Sequence, residues 1–296
     1  MTEEKWLMTI NQFGEKYYKL GLHLHTTLSD GRKTPAEVAK EYKEDGYDAI
    51  AFTDHWKYGE GGIMEGLHII SGCEYNLGGN DTIAGVSHIV SLFTKANPNP
   101  NRDATNQEVV DAINAQGGIA VLAHPNWSLN RLNDYTELKG VVATEIYNAV
   151  SDAGQSMRPY SDYYIDMCAN AGVYPLIFAT DDAHAYNGKD NRLGWVMVMA
   201  DELTDEALKN AILQGEFYAT EGPEVRVVRE GNKLIIDTSP CEIIGTISNL
   251  SWDRDRVLRG ENLTHFEYEI RSNDKWVRVE VRDKNGKKAW SNIFVV

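Results

Sequence analysis

His23-Leu24-His25-Thr26-Thr27-Leu28-Ser29-Asp30-Gly31 is the stretch on which the reading of this chain turns. Two imidazoles alternate, and a carboxylate follows five residues on, where a strand should run into a loop. In extended backbone, positions i and i+2 point to one face. His23 and His25 can therefore reach one metal ion together, while Asp30 leaves the loop above the strand to serve a neighbouring ion. A bare His-x-His is weak evidence, because paired histidines on a strand are often only polar surface. The rest of the chain strengthens it. Thr53-Asp54-His55, Gly72-Cys73-Glu74, His88, Ala123-His124-Pro125 and Asp181-Asp182-Ala183-His184 each fall at or near the end of an apolar, strand-like run. Six of the eight histidines lie in this series, so it is the set that points to a metal site.

Around these motifs, β-branched runs alternate with amphipathic helical segments from Lys19 to Thr220. The runs are Leu20–His25, Ala49–Thr53, Ile69–Glu74, His88–Phe93, Ile119–His124, Ala143–Tyr147 and Tyr174–Ala179. Thr34-Pro35-Ala36-Glu37 and Thr105-Asn106-Gln107-Glu108 are helix-start signatures. A third helix is expected from Thr204 to Gln214, stopped by Gly215. Seven runs interleaved with helices suggest a closed α/β barrel, TIM-like, more than an open doubly wound sheet, and there is no glycine-rich nucleotide loop. Such a barrel collects its chemistry at the C-terminal ends of its strands, where most of the candidate ligands fall. His88 starts its run instead; an antiparallel return after Glu74 would bring it to the same rim. After Gly222-Pro223 the pattern changes to short strand runs at 225–230, 233–237, 243–248, 266–271, 276–283 and 289–295. Residues 1–223 are thus expected to form the barrel, and 224–296 a small antiparallel domain of β-sandwich type.

Composition narrows the function. A formal charge of −15 argues against broad nucleic-acid binding, which needs concentrated Lys and Arg, and against anionic membranes. No apolar run approaches the roughly 20 residues that span a bilayer. The N-terminal residues lack a secretory signal pattern. Cys73, Cys168 and Cys241 form no CxxC pair, which favours a reducing, cytoplasmic setting and disfavours a thiolate zinc site. Cys73 is read as core, pointing away from the face that carries Glu74.

Imidazole and carboxylate without thiolate suit Zn, Mn or Fe. The nine candidates His23, His25, Asp30, His55, Glu74, His88, His124, Asp182 and His184 are too many for one tetrahedral ion. They suit about two or three divalent ions if a carboxylate bridges and water fills the open positions. Metals roughly 3.5–4 Å apart share a hydroxide and lower its pKa toward about 7. Metal-assisted hydrolysis follows, with no organic cofactor. The motifs HLHTTLSDG, TDH, GCE, AHP and DDAH resemble, in order, those of the polymerase and histidinol phosphatase (PHP) family of metal hydrolases. The resemblance covers roughly residues 19–223 and implies a distorted seven-stranded β/α barrel with a trinuclear site. On it, His23, His25, Glu74 and Asp182 would hold the first ion. Glu74 would bridge to a second, completed by His88 and His124, and Asp30, His55 and His184 would hold the third. Asp54 and Asp181 receive no ligand role and are read as supporting acids. The later segments FATDDAH, GWVMV, GEFYATEGP and the closing WVRVEVRDKNGKKAWSNIFVV resemble a branch with a C-terminal β domain. That branch contains both phosphoesterases and proteins similar to a carbaryl hydrolase, which cleaves a carbamate ester.

The leading expectation is a phosphoesterase acting on a small anionic phosphorylated metabolite or nucleotide, with Asp182 or a neighbouring histidine, His184 or His55, shuttling protons. Arg158, Lys189 and Arg192 follow the rim motifs closely and are candidate phosphate contacts. Arg32 follows the first motif and would support its loop or flank the pocket. Trp127 and Trp56 follow ligand motifs and are candidates for an apolar wall. The alternatives are a carboxyl-ester, carbamate or amide hydrolase with the same metals, or a non-catalytic binding protein built on the same scaffold.

Overall fold

The computed structural model describes residues 9–10, 13–79 and 85–296. Helix starts follow the local chemistry of the sequence. Thr34 accepts the backbone N–H of Glu37, the Glu37 carboxylate accepts that of Thr34, and Pro35 opens helix Pro35–Glu44. Thr105 and Glu108 repeat the arrangement at helix Asn106–Ala115. Helix Asp205–Gln214 starts after Thr204 and stops at Gly215, whose φ of 76° is a conformation that a side chain would resist. Buried Leu208, Ala211 and Ile212 lie on one face of this helix and join the main core.

The strands form two sheets. In one, Leu176–Thr180, Val141–Asn148 and Ile119–Leu122 run parallel, and Val86–Leu92 and Gly72–Gly78 follow antiparallel. In the other, Lys16–Gly21, Ala49–Ala51 and Leu67–Ile70 are parallel neighbours. Trp195–Val198 and Phe217–Thr220 extend that sheet antiparallel. The mixed α/β character is as expected, but hydrogen bonding draws two sheets rather than one closed seven-strand ladder. The strands at the junctions are too short to carry the ladder around. Isolated bridges tie the two sheets together: Leu24↔Ala183 and His55↔Glu74, both inside the histidine and carboxylate motifs, and Gly59↔Gly72 beside them. The chain does turn back after Glu74. Glu74 faces Val90 and Asn76 faces His88, so His88 lies diagonally beside Glu74 on one face of the antiparallel pair.

The C-terminal strands are antiparallel, as expected, and they hydrogen-bond onto the larger sheet. Lys288–Ser291 pairs with Phe217–Thr220, so these strands continue the larger sheet. The expected runs 233–237 and 243–248 are one strand, Lys233–Ser248, with register breaks on either side of Cys241. Its partner Val257–Glu269 begins well before the expected run 266–271. Leu234, Ile236, Ile244, Val277 and Val279 form a second core with Tyr17, Met197 and Tyr218, from strands Lys16–Gly21, Trp195–Val198 and Phe217–Thr220. Cys73, Cys168 and Cys241 are buried and unpaired.

One buried ion pair also fastens the C-terminal strands to a helix. Arg278, with its side chain 2% exposed, grips Asp166 of helix Asp162–Asn170 with two hydrogen bonds of 2.7 and 3.0 Å. Removing one partner of such a pair costs about 3–5 kcal/mol, because the other is left desolvated. Arg278→Ala should therefore lower urea stability by about 3 kcal/mol, and adding Asp166→Ala should recover part of that loss. A loss below the error of the measurement would contradict the latch.

At the base of the first helix, Asp48 accepts the Lys19 N–H at 2.8 Å, and burial pushes its carboxyl up to about 6. In the unfolded chain an aspartate titrates near about 4. The folded chain thus holds this proton more tightly, and stability falls as pH rises through that window. Asp48→Asn should leave the melting temperature unchanged below pH 4 and raise it by a few degrees at pH 8. Equal shifts at both pH values would show that the carboxyl titrates normally.

Candidate metal centre

The rim is built by loops that buried carboxylates hold in place. Beyond strand Lys16–Gly21 the chain stays extended: the His25 N–H donates to the Ala183 carbonyl at 3.0 Å and the Asp182 N–H to the His23 carbonyl at 2.9 Å. Asp54 accepts the backbone N–H groups and both hydroxyls of Thr26 and Ser29, which ties down the loop carrying Asp30. Gly31 closes this loop so tightly that a Cβ there would lie 2.3 Å from the His25 carbonyl oxygen. Asp181 turns away from the rim, accepting the Tyr42 hydroxyl and the N–H groups of Arg192, Leu193 and Gly194. Burial still raises its pKa. Two rim residues, His124 and Asp182, take left-handed backbone angles, φ 28° and 52°. Each such angle costs on the order of 1–3 kcal/mol and has to be held by the surrounding contacts.

All nine candidate ligands converge, in three groups whose donor atoms lie within 4.8 Å of one another: His23, His25, Glu74 and Asp182; Glu74, His88 and His124; and His25, Asp30, His55 and His184. Glu74 is the shared centre. Its oxygens lie 2.8 Å from His88, 3.1 Å from His25 and His55, and 3.4 Å from His23 and His124. Asp182 Oδ1 approaches His25 at 3.0 Å and His23 at 3.3 Å. The set runs from a fully buried floor at His23 and His25 to a mouth at Asp30, whose side chain is 54% exposed.

This donor set fits divalent cations. Asp182 Oδ1 and His55 Nδ1 are buried with no hydrogen bond of acceptable geometry, although neighbours approach closely. His23 Nε2 and His25 Nε2 lie 3.3 Å apart and face the same carboxylate oxygens. Lone pairs that converge in this way are satisfied by a cation at their centre, and the absence of thiolate suits Zn, Mn or Fe. Electrostatics agree. Burial opposes charge on His23, yet the carboxylates of Asp182, Glu74 and Glu145 hold its pKa well above the usual imidazole range. The same contest lifts His25 to about 9 and raises His124 and His184. Burial also opposes ionisation of Glu74, but the surrounding imidazoles keep it ionised. His55 moves the other way, lowered by burial and by the neighbouring histidines His25 and His88.

The groups open into a cavity of about 200 Å³ lined also by Trp127 and Gln155. Trp127 packs against His124 and His88, with ring centroids 4.9 and 5.6 Å away, and is the aromatic wall. Trp56 stands outside this cavity, edge-on to Tyr75 and beneath Arg102. Arg158, Lys189 and Arg192 do not line this cavity. The turn after His184 explains two of them. Asp190 accepts the N–H groups of His184, Ala185 and Tyr186, and Asp181 accepts that of Arg192. Lys189 is left exposed, and the Arg192 guanidinium points to Asp45, 3.8 Å away. Arg158 is exposed, its backbone N–H bound to the Ser151 carbonyl. Arg32 reaches the site through its backbone, which donates to the His184 carbonyl. His68 and His265 pair with Asp205 and Asp237 away from the cavity.

Two residues escaped the sequence reading. Glu145 lies in strand Val141–Asn148, fully buried, with Oε1 2.7 Å from His23 Nδ1 and Oε2 accepting the His124 N–H at 2.8 Å. Asn148 Nδ2 donates to both Glu145 Oε2 and Asp182 Oδ2, at 2.9 and 3.2 Å. The available signal was a lone Glu inside the apolar run Ala-Thr-Glu-Ile-Tyr.

The mixed α/β scaffold thus brings three adjacent His and carboxylate groups together as a candidate metal centre. Residues 21–149 match the family model of the PHP domain. The chain's fold is similar to that of a Bacteroides vulgatus protein described as a two-domain protein containing a predicted PHP-like metal-dependent phosphoesterase. That similarity covers 100% of this chain and 99% of the other, at TM-score 0.57 and 15% identity. Weaker likenesses are to the lesion-specific endonuclease Q of Pyrococcus furiosus (TM-score 0.47, 15% identity, 67% of this chain and 56% of that one) and to an amidohydrolase from Chromobacterium violaceum (0.42, 16%, 58% and 89%). The sequence matches no curated protein.

Because the carboxylates hold these imidazoles charged near neutral pH, a cation entering the site must displace protons. Calorimetric titration with Zn²⁺ at pH 7, in buffers of different ionisation enthalpy, should show net proton release. A binding enthalpy independent of the buffer would contradict this charge state.

Proposed function

We propose that this chain is a metal-dependent hydrolase that cleaves a small phosphoester. The observation that carries the reading is the position of Glu74, a buried carboxylate within 3.4 Å of five histidines and common to two of the three donor groups. Bound divalent ions would supply an activated water and the counter-charge for a phosphoryl group. His23, His25, Glu74 and Asp182 would hold the floor, His88 and His124 the side beneath Trp127, and Asp30, His55 and His184 the mouth. Asp182, beside the ions it would help to hold, would receive the proton of the attacking water. His55 and His184 flank Asp30 where a leaving oxygen would depart, and either can return a proton there. The cavity of about 200 Å³ favours a compact head group with the remainder of the substrate outside.

One observation favours a second reading. Among the described residues, no Arg or Lys lines this cavity, and Trp127 gives it an aromatic wall. A carboxyl ester, carbamate or amide would suit such a lining, whereas a phosphate would have to rely on the metal charge alone.

The test is hydrolysis by Mn- or Zn-loaded protein of matched chromogenic phosphate monoesters, phosphate diesters, carboxyl esters and carbamates. Asp182→Asn serves as the blank and should lose at least about a hundredfold in rate while keeping its fold. Release from phosphates alone supports the leading reading. Release from acyl substrates alone replaces it with the second, and near wild-type rates in Asp182→Asn would sink both.

A further inference from the structure

One buried carboxylate beneath the rim, Glu145, is absent from all three donor groups. Glu145 is 1% exposed and uses both oxygens: Oε1 meets His23 Nδ1 at 2.7 Å, and Oε2 accepts the His124 N–H and the Asn148 amide. Asn148 cannot be turned around, because its Oδ1 accepts the Ser151 N–H and hydroxyl, at 3.2 and 2.6 Å. Its amide nitrogen must therefore face Glu145 and Asp182, bridging two buried carboxylates.

From this geometry we infer that Glu145 and Asn148 are positioning residues that make the buried floor competent to bind a cation. The inference rests on the metal reading above. A carboxylate can only accept, so Glu145 keeps the remaining proton of a neutral His23 on Nδ1 and leaves the Nε2 lone pair facing Glu74 and Asp182. Its second oxygen anchors the His124 N–H, which the left-handed backbone of that residue turns toward it. One side chain thus orients a ligand in each of two donor groups. The mouth group of Asp30, His55 and His184 receives nothing from it.

Glu145→Gln separates these effects with little change in volume. If the Gln oxygen accepts the His124 N–H, its amide must face His23 Nδ1, which then has to accept. The proton moves to Nε2 and blocks the ligand atom. Residues that hold a ligating histidine in this way typically contribute 10–100-fold to metal affinity. Zn²⁺ titration with metal content measured after dialysis should show a fall of about that size for ions at the floor, with the mouth ion retained. Glu145→Asp, which keeps the charge, should bind more tightly than Glu145→Gln; if Gln at 145 prevents folding, Asn148→Ala must show the weaker form of the same selective loss. Wild-type stoichiometry and affinity in Glu145→Gln, or equal weakening of all sites, would overturn this inference alone. A wild-type protein that retains no Zn²⁺ would overturn the metal reading, and the inference with it.

Discussion

A carboxylate buried among five imidazoles is the constraint from which the rest of this molecule follows. Glu74 has lost water, and desolvation on its own would drive it neutral. What keeps it ionised is positive charge, supplied either by protonated histidines or by metal. Without metal the imidazoles carry that charge, with several charged rings a few ångströms from one another. Divalent cations answer the same carboxylates with directional bonds and accept the converging nitrogen lone pairs as well. The site is therefore polar in a way that hydrogen bonds within the chain do not complete.

This demand shapes the scaffold. Two of the bridges between the sheets, Leu24↔Ala183 and His55↔Glu74, lie within the site motifs, so part of the fold's junction is also part of the site. The left-handed backbones of His124 and Asp182 would be a liability elsewhere. Here they re-aim side chains at the end of a strand, and each residue is held on several sides. The supporting acids divide the labour: Asp54 fixes the first loop, Asp181 and Asp190 fix the last, and Glu145 braces the floor. Below the rim, the C-terminal strands prolong the larger sheet and share a core with Tyr17, Met197 and Tyr218 of its other strands.

Much of this was legible in the sequence, and for identifiable reasons. Alternating His23 and His25, the capped helices, and the order of TDH, GCE, AHP and DDAH are local patterns, and local patterns survive without coordinates. The expected grouping of ligands is matched by the three donor clusters, except that His25 also stands beside the mouth group. Side-chain direction after a turn was not legible. Lys189 and Arg192 are close to His184 in sequence, but backbone capture by Asp190 and Asp181 sends them elsewhere. Glu145 was hidden because a single acid in an apolar strand carries no period of its own. The pairing of Lys288–Ser291 with Phe217–Thr220 was not legible either, because it depends on a contact some seventy residues away in the chain.

The account is tested most directly by counting metal. Wild-type and Glu74→Gln proteins, dialysed to equilibrium against Mn²⁺ or Zn²⁺, would be compared by elemental analysis, with circular dichroism to confirm that both are folded. The geometry predicts about three ions per wild-type chain, one for each donor group, and the loss of the two groups that share Glu74 in the variant. Equal metal content in the two proteins, or a wild-type chain that retains none, would contradict a centre organised around Glu74.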